Sequence, residues 1–228
     1  MELDGVFMDL YGTLTTGDRQ AVESTCEAVI RAAGVPLSAR ELSIVWGERF
    51  LQSLDSCVGD GFETLADLER RTLVETMTEL GAEIDPYPFV QMLVDYWRNP
   101  PLQREAREFL AAFRPPICVV SNADRADAEI ALAVHGIKVA MLVTSEDTRS
   151  YKPDPGIFEA ALKRTGWRRE RVIHVGDSVH SDVGGACAAG IRTAWLNRSH
   201  RIHDIGTQEP DYEFADLLEF AAFVNGQP

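Results

Sequence analysis

The stretch VFMDLYGTL at residues 6–14 indicates how the chain begins to fold. Its apolar part ends at Asp9, and the step Gly12-Thr13 breaks the run, which is typical of a short buried strand followed by a loop. In an open α/β sheet, ligands bind beyond the carboxyl ends of the strands. The stretch therefore predicts a strand that carries a carboxylate to a ligand-binding edge.

A helical region follows, from Asp18 to about residue 98. Asp18 is typical of a helix start, and Ser38 with Glu41 forms the S-x-x-E capping box of a second helix. This region contains no convincing strand pattern. We therefore predict that residues 15–100 form a helical cap domain, inserted over the carboxyl edge of the sheet.

Strands and helices alternate in the remaining chain. Short apolar runs predict strands at 117–120, 139–143, 172–175 and 193–196, the last of them being the final strand. A polar connection over 197–213 then leads to a last helix near 214–224. This alternation indicates a parallel sheet covered on both faces. The predicted fold class is α/β, a doubly wound, Rossmann-like parallel sheet, with a core domain of residues 1–14 and 101–228.

The composition limits the partners of the protein. Its 228 residues include 22 Lys and Arg against 36 Asp and Glu, which gives a formal net charge of −14. This acidity argues against nucleic-acid binding, and no apolar run approaches the roughly 20 residues that span a bilayer. A local cation can still make a pocket attractive to anions. We expect a small-molecule anionic substrate, and a monomer or homodimer.

The cysteines and the first residues favour a cytoplasmic location. The four cysteines are scattered and form no CxxC pair, which indicates free thiols in a reducing compartment. The chain starts Met1-Glu2-Leu3-Asp4, without the basic region of a secretion signal.

Four polar clusters directly follow predicted strands: Asp9 to Thr13, Ser121-Asn122, Lys152-Pro153, and GDSVHSD from Gly176 to Asp182. In this order, with a helical insertion after the first, they resemble the haloacid dehalogenase-like (HAD) superfamily of hydrolases over essentially the whole chain. The resemblance implies that Asp9 is a nucleophile that forms a covalent aspartyl intermediate. It also implies that Ser121 hydrogen-bonds the transferring group and that Lys152 neutralises negative charge.

The acidic fourth cluster implies a metal site in this family. Asp177 is the expected ligand of Mg²⁺, which prefers oxygen atoms, and Asp182 is a further ligand or a supporting partner. Attack by a carboxylate on a phosphate brings like charges together, and a lysine with a metal ion offsets them. The predicted metal ligands are Asp9, Tyr11 (through its backbone carbonyl), Asp177 and Asp182.

The predicted catalytic and substrate-binding residues complete the site. The catalytic set is Asp9, Tyr11, Thr13, Ser121 and Lys152. The substrate-binding set is Gly12, Ser121, Asn122 and Lys152, with Trp46 and Arg49 from the cap.

Tyr11 departs from the phosphatase pattern. HAD phosphatases normally carry a second Asp at this position, and a tyrosine, with a pKa near 10, is a poor base at neutral pH. The string from Asp9 to Leu14 instead resembles the first motif of L-2-haloacid dehalogenases, whose halide leaves without a proton. Asn122 also suits those enzymes, in which it contacts the halide.

Two other features favour a phosphatase. Gly47 follows Trp46 where the dehalogenases carry an arginine, and Arg49 replaces it only if the helix register differs. Asp177 stands where the dehalogenases are mostly neutral. We therefore predict a Mg²⁺-dependent phosphatase of a small phosphorylated metabolite. The alternative is a metal-independent L-2-haloacid dehalogenase, and the third reading is a ligand-binding protein whose catalysis lapsed with Tyr11.

Overall fold

One parallel sheet organises the computed structural model, which describes residues 2–54, 56–201 and 208–226. The strands of these ranges are β1 (Gly5–Met8), β2 (Ile117–Ser121), β3 (Met141–Thr144), β4 (Val172–Gly176), β5 (Arg192–Leu196) and β6 (Tyr212–Phe214). Their spatial order is β3-β2-β1-β4-β5-β6, and every pair is parallel. From β1 the chain adds β2 and β3 on one side, and it then crosses back to add β4, β5 and β6 on the other side of β1. The α/β doubly wound sheet predicted from the sequence is therefore present, with its switch point between β1 and β4.

Both faces of the sheet are covered, because successive side chains of a strand point in opposite directions. Val6 and Met8 pack with the helices α5 (Ala106–Ala112), α6 (Arg125–Val134) and α10 (Leu217–Asn225). Phe7, between them, packs on the other face with α8 (Gly156–Thr165). The apolar strands thus form two core layers, one on each side of the sheet.

The inserted region builds a third apolar cluster from its own helices. These are α1 (Asp18–Ala33), α2 (Ala39–Leu54), α3 (Leu65–Glu79) and α4 (Tyr87–Arg98). The predicted capping box is confirmed, since the Ser38 backbone N–H donates to Glu41 at 2.8 Å. None of the helices described here combines the length and apolarity that a bilayer crossing requires.

The two segments that lead into and out of this region pair with each other. Thr15 pairs with Leu102 in an isolated bridge, and the Thr16 N–H donates to the Pro101 carbonyl at 2.8 Å. They lie next to the boundaries predicted from the sequence, 15–100 for the cap and 1–14 with 101–228 for the core. That domain division stays a prediction.

The structure corrects some predicted elements after residue 100. The strand at 193–196 is not the final one, because β6 pairs with β5 across the boundary between the predicted polar connection (197–213) and the predicted last helix (214–224). Within that connection, residues 202–207 lie outside the described ranges. The chain after β4 forms a π-helical turn, Val179–Gly184, before the short helix α9 (Gly185–Ala188), and a one-turn helix α7 (Ser145–Thr148) follows β3.

Candidate active site

The predicted polar clusters converge at one edge of the sheet. Asp9 follows β1, and its backbone N–H donates to the Val175 carbonyl at 3.0 Å. Ser121 ends β2, and its hydroxyl donates to Asp9 Oδ1 at 3.4 Å. Asp177 follows β4. These neighbouring strands are parallel, so their carboxyl ends bring the three side chains together at the switch point, where such sheets bind ligands.

Lys152 is the cation at the centre of the site. Its side chain is only 2% exposed, and Nζ donates to Asp9 Oδ1 at 2.8 Å and to Asp182 Oδ1 at 2.6 Å. Burial by itself would lower the pKa of Lys152, but the two carboxylates outweigh it and the pKa lies above its ordinary value. Lys152 therefore stays charged next to the predicted nucleophile.

Asn122 holds the backbone of Lys152 in place. Its side-chain amide donates to the Lys152 carbonyl at 3.0 Å, and its side-chain oxygen accepts from the Lys152 N–H at 2.7 Å. Asn122 also lines the cavity next to Asp9. The structure thus gives Asn122 a positioning role that the predicted substrate contact did not include.

Asp182 is fully engaged by its neighbours. Its Oδ1 accepts from Lys152 and lies 3.0 Å from His174 Nε2, and its Oδ2 accepts from the Ser178 N–H at 3.0 Å. Burial alone would raise the pKa of Asp182, but Lys152 and His174 reverse the shift and lower it. Asp182 therefore orients Lys152, while His174, a residue that the sequence analysis did not assign to the site, supports Asp182 from inside β4.

Three carboxylates, two of them buried and that of Asp177 partly buried, cluster near this one lysine. Oxygen atoms of Asp9, Asp177 and Asp182 lie within 4.8 Å of one another. Burial raises the pKa of Asp9, and burial with the charges of Asp182 and Asp9 raises that of Asp177 to about 7. The charge of the cluster is incompletely balanced, and its oxygen-rich donor set is of the kind that hard divalent cations prefer.

Gly12 brings the backbone close to this acidic cluster. Its φ is +88°, and a Cβ at this position would lie 2.5 Å from Asp177 Oδ1. The Gly12 carbonyl accepts from Gln103 at 3.0 Å and from Arg198 at 2.9 Å. The loop after β1 is therefore fixed in a conformation that favours glycine.

Gly12→Ala is expected to destabilise the protein by about 1–3 kcal/mol and to lower activity, because alanine is strained at this φ and displaces Asp177. Chemical denaturation and steady-state kinetics measure the two effects. Gly34→Ala is the matched control, since its φ is +69° but a Cβ there contacts nothing within 4 Å. If the two variants were equally active, the close approach of the Gly12 backbone to Asp177 would not be required for activity.

The side chains of Tyr11 and Thr13 differ in their hydrogen bonding. The Tyr11 hydroxyl donates to the Trp97 carbonyl of the cap at 2.9 Å, and burial raises the pKa of this phenol further. The Tyr11 side chain therefore joins the loop to the cap and is unsuited to proton transfer at neutral pH. Thr13 is fully buried, and its hydroxyl has no hydrogen-bond partner within the described residues.

The two predicted cap residues have different positions. Trp46 lines a cavity under the cap, and its indole N–H donates to the Thr72 hydroxyl at 3.0 Å. Arg49 lies outside that cavity and pairs with Glu75 and Glu79 of α3. The structure does not bring Arg49 to the site, because the register of α2 turns it toward the acidic face of α3.

Two adjacent cavities lie at the site of Asp9, the predicted nucleophile. The catalytic cavity, about 170 Å³, is lined by Asp9, Ser121, Lys152 and the acidic loop, and the cap cavity, about 270 Å³, lies beside it. Tyr11, Asp18, Asn122 and Ser181 line both. Asp18 was predicted as a helix cap, but Gly17 occupies that position and the Asp18 side chain caps nothing.

Comparisons with known proteins agree with this geometry. The model of the haloacid dehalogenase-like hydrolase family matches residues 3–190. (S)-2-haloacid dehalogenase 2 of Pseudomonas sp. (strain CBS-3) is 25% identical over 230 residues, covering 98% of this chain and 96% of that protein. Pyrimidine 5'-nucleotidase YjjG of Escherichia coli (strain K12) is 38% identical over 88 residues, covering 37% of this chain and 39% of that protein.

A solved structure supports the fold assignment. L-2-haloacid dehalogenase from Xanthobacter autotrophicus matches with a TM-score of 0.78 and 21% identity, covering 99% of this chain and 100% of that one. The family match spans well over half of the sequence and includes the four strand-end clusters. The chain therefore belongs to the haloacid dehalogenase-like hydrolases and is a hydrolase.

Proposed function

We propose that the protein is a Mg²⁺-dependent phosphatase that uses Asp9 as its nucleophile on a small phosphorylated substrate. The observation that carries this proposal is Asp177. It adds a third, partly buried carboxylate to a site with one lysine, and its side chain forms no ion pair within the described ranges. Buried charges in proteins are paired or coordinate metals. A divalent cation fits these residues and balances their charge.

The residues of the chain divide the reaction among them. Asp9 attacks phosphorus and the bond to the leaving oxygen breaks, so that the carboxylate carries the phosphoryl group until water removes it. Lys152 balances the negative charge, and Ser121 orients the transferred group. Asp9, Asp177 and the Tyr11 carbonyl would hold the cation, which would supply positive charge to offset that of the phosphate.

Asp18 is the carboxyl that can replace the missing second aspartate as proton carrier. It lines the catalytic cavity beside Asp9. Asp18 is an exposed residue, yet the protein around its carboxyl and the charge of Asp9 raise the pKa of that carboxyl. A raised pKa suits a group that must give a proton to a leaving oxygen.

Dehalogenation of 2-haloacids is the second candidate. A relative matched over nearly the full length is a 2-haloacid dehalogenase, and the stretch around Tyr11 resembles the first motif of that class, so the sequence comparison favours this candidate. The cavities favour a phosphatase. Of the described residues that line either one, Lys152 is the sole lysine or arginine, and five are acidic: Asp9, Asp18, Glu69, Asp177 and Asp182. A departing halide would therefore meet no free cation.

Asp177→Asn is expected to lower Mg²⁺-dependent phosphatase activity by about 100-fold, because it removes a charged ligand. The assay measures release of inorganic phosphate from a panel of phosphomonoesters with Mg²⁺ and with EDTA. Metal affinity should rise with pH through about 7, since Asp177 must lose its proton to bind a cation. Asp60→Asn, an exposed change in the cap, is the control.

Halide release from 2-chloropropionate in EDTA, with no phosphate release from any ester, would reverse the order of the two candidates. Water enriched in heavy oxygen separates them further. Hydrolysis of a carbon ester at the Asp9 carboxyl carbon leaves the heavy atom in Asp9, whereas attack of water on phosphorus leaves it in phosphate.

A further inference from the structure

The cap cavity has the lining of a binding site for an apolar group. Its walls carry Trp46, Phe50, Trp97 and Tyr151, with leucines between them. It shares four lining residues with the catalytic cavity and is therefore adjacent to it, within reach of a substrate that reacts at Asp9. Its volume of about 270 Å³ suits a small organic group.

Glu69 is a carboxylate within these apolar walls. It lies in the second turn of α3, is half-buried and lines the cap cavity. In the described part of the chain, no cation or hydrogen-bond donor reaches its carboxylate. Burial, together with the charge of Asp18, raises the pKa of Glu69 to about 8.

Polar groups of the neighbouring aromatic residues are already used elsewhere. The Trp46 indole donates to Thr72, the Tyr11 hydroxyl to the Trp97 carbonyl, and the Tyr151 hydroxyl to the Glu63 carbonyl at 3.0 Å. The cavity therefore presents aromatic surfaces and two carboxylates that form no ion pair among the described residues, Glu69 within the cap and Asp18 where the lining is shared with the catalytic cavity. Both features attract a cation, the rings by their negative faces and the carboxylates by charge once they have lost their protons, which a bound cation favours.

We propose that the cap cavity binds an ammonium group, carried on a small apolar body, and that Glu69 is its counter-ion. This inference rests on the proposed function in one respect, because the ammonium would belong to the leaving group of the ester hydrolysed at Asp9. The substrate class is then a phosphomonoester of an amino alcohol or a similar amine. The phosphate end of such a substrate would lie near Lys152, and its amine end would lie near Glu69.

Binding without turnover tests this proposal. Isothermal titration calorimetry compares 2-phenylethylammonium with its neutral analogue 2-phenylethanol, neither of which contains a phosphate to hydrolyse. The wild-type protein should bind the ammonium at least about tenfold more tightly than the alcohol, because a desolvated cation gains both the carboxylate and the aromatic faces.

Glu69→Gln should abolish this preference, since the amide keeps the shape but not the charge. Glu48→Gln, which removes one negative charge from an exposed position of α2 outside the cavity, should keep it. Thermal unfolding of all three proteins shows whether each is folded. Equal affinity for the two probes, no binding of either, or an unchanged preference in Glu69→Gln would overturn the proposal.

The outcome is independent of the phosphatase assay. Ammonium selectivity in a protein that releases no phosphate would keep the subsite and reject the proposed reaction. Phosphatase activity without ammonium selectivity would keep the reaction and reject the subsite.

Discussion

Asp9→Asn is expected to reduce turnover by about 10⁴-fold or more, because an amide at this position cannot act as the nucleophile. The change keeps the size of the side chain, and Lys152 retains its contact with Asp182 at 2.6 Å. The fold should therefore survive. Steady-state kinetics on the best substrate of the panel measures the loss, and circular dichroism shows whether the variant is folded.

Asp60→Asn is a matched control for this change, since it converts an exposed aspartate of the cap to the same amide. It should retain full activity. Substantial residual turnover in Asp9→Asn, with the control unaffected, would mean that another group forms the covalent bond or that no such bond forms.

Lys152→Met is expected to cost about 3–5 kcal/mol of folding free energy and most of the activity. Removing the lysine leaves Asp9 and Asp182 buried next to each other without their shared cation, and such broken buried pairs are strongly destabilising. At acidic pH the free energy of unfolding of the variant should lie closer to that of the wild type, because protonation relieves the repulsion between the two carboxylates. Urea unfolding at several pH values, without added metal, measures the effect.

Lys138→Met, at an exposed position, is the control for loss of a lysine charge. Its stability should stay within about 0.5 kcal/mol of wild type. If Lys152→Met were equally mild at neutral pH, the lysine could not be the group that balances the buried carboxylates.

The sheet edge of the site could be predicted from the sequence because it depends on strand order and little else. Asp9, Ser121 and Asp177 each end or follow a strand of one parallel sheet, so their convergence follows from the topology. Lys152 belongs to the same edge, and its contacts with Asp9 and Asp182 are those of the predicted charge-neutralising group.

The cap could not be predicted in the same way. Its contribution depends on which helix face is turned toward the site, and the rotation of a helix follows from its packing. Arg49 was expected at the site and pairs with Glu75 instead, whereas Glu69, one of many charged residues in α3, lines the cavity. The short edge strand β6 was missed because it has only three residues, and none of them is buried.

His174 shows a further limit of the sequence pattern. A histidine within an apolar strand is typical of a core residue, and His174 is indeed buried and packs against Phe158. Its contact with Asp182 arises because the π-helical turn after β4 folds that aspartate back onto the strand. A reversal of this kind leaves no periodic signal in the sequence.

The central claim, that Asp9 becomes covalently linked to the substrate, is tested most directly by rapid-quench mass spectrometry of the peptide that contains Asp9. During turnover in acid-quenched samples, we predict a transient adduct on Asp9 with the mass of a phosphoryl group, absent in Asp9→Asn. Full-speed turnover with no adduct on this peptide at any quench time would contradict the account.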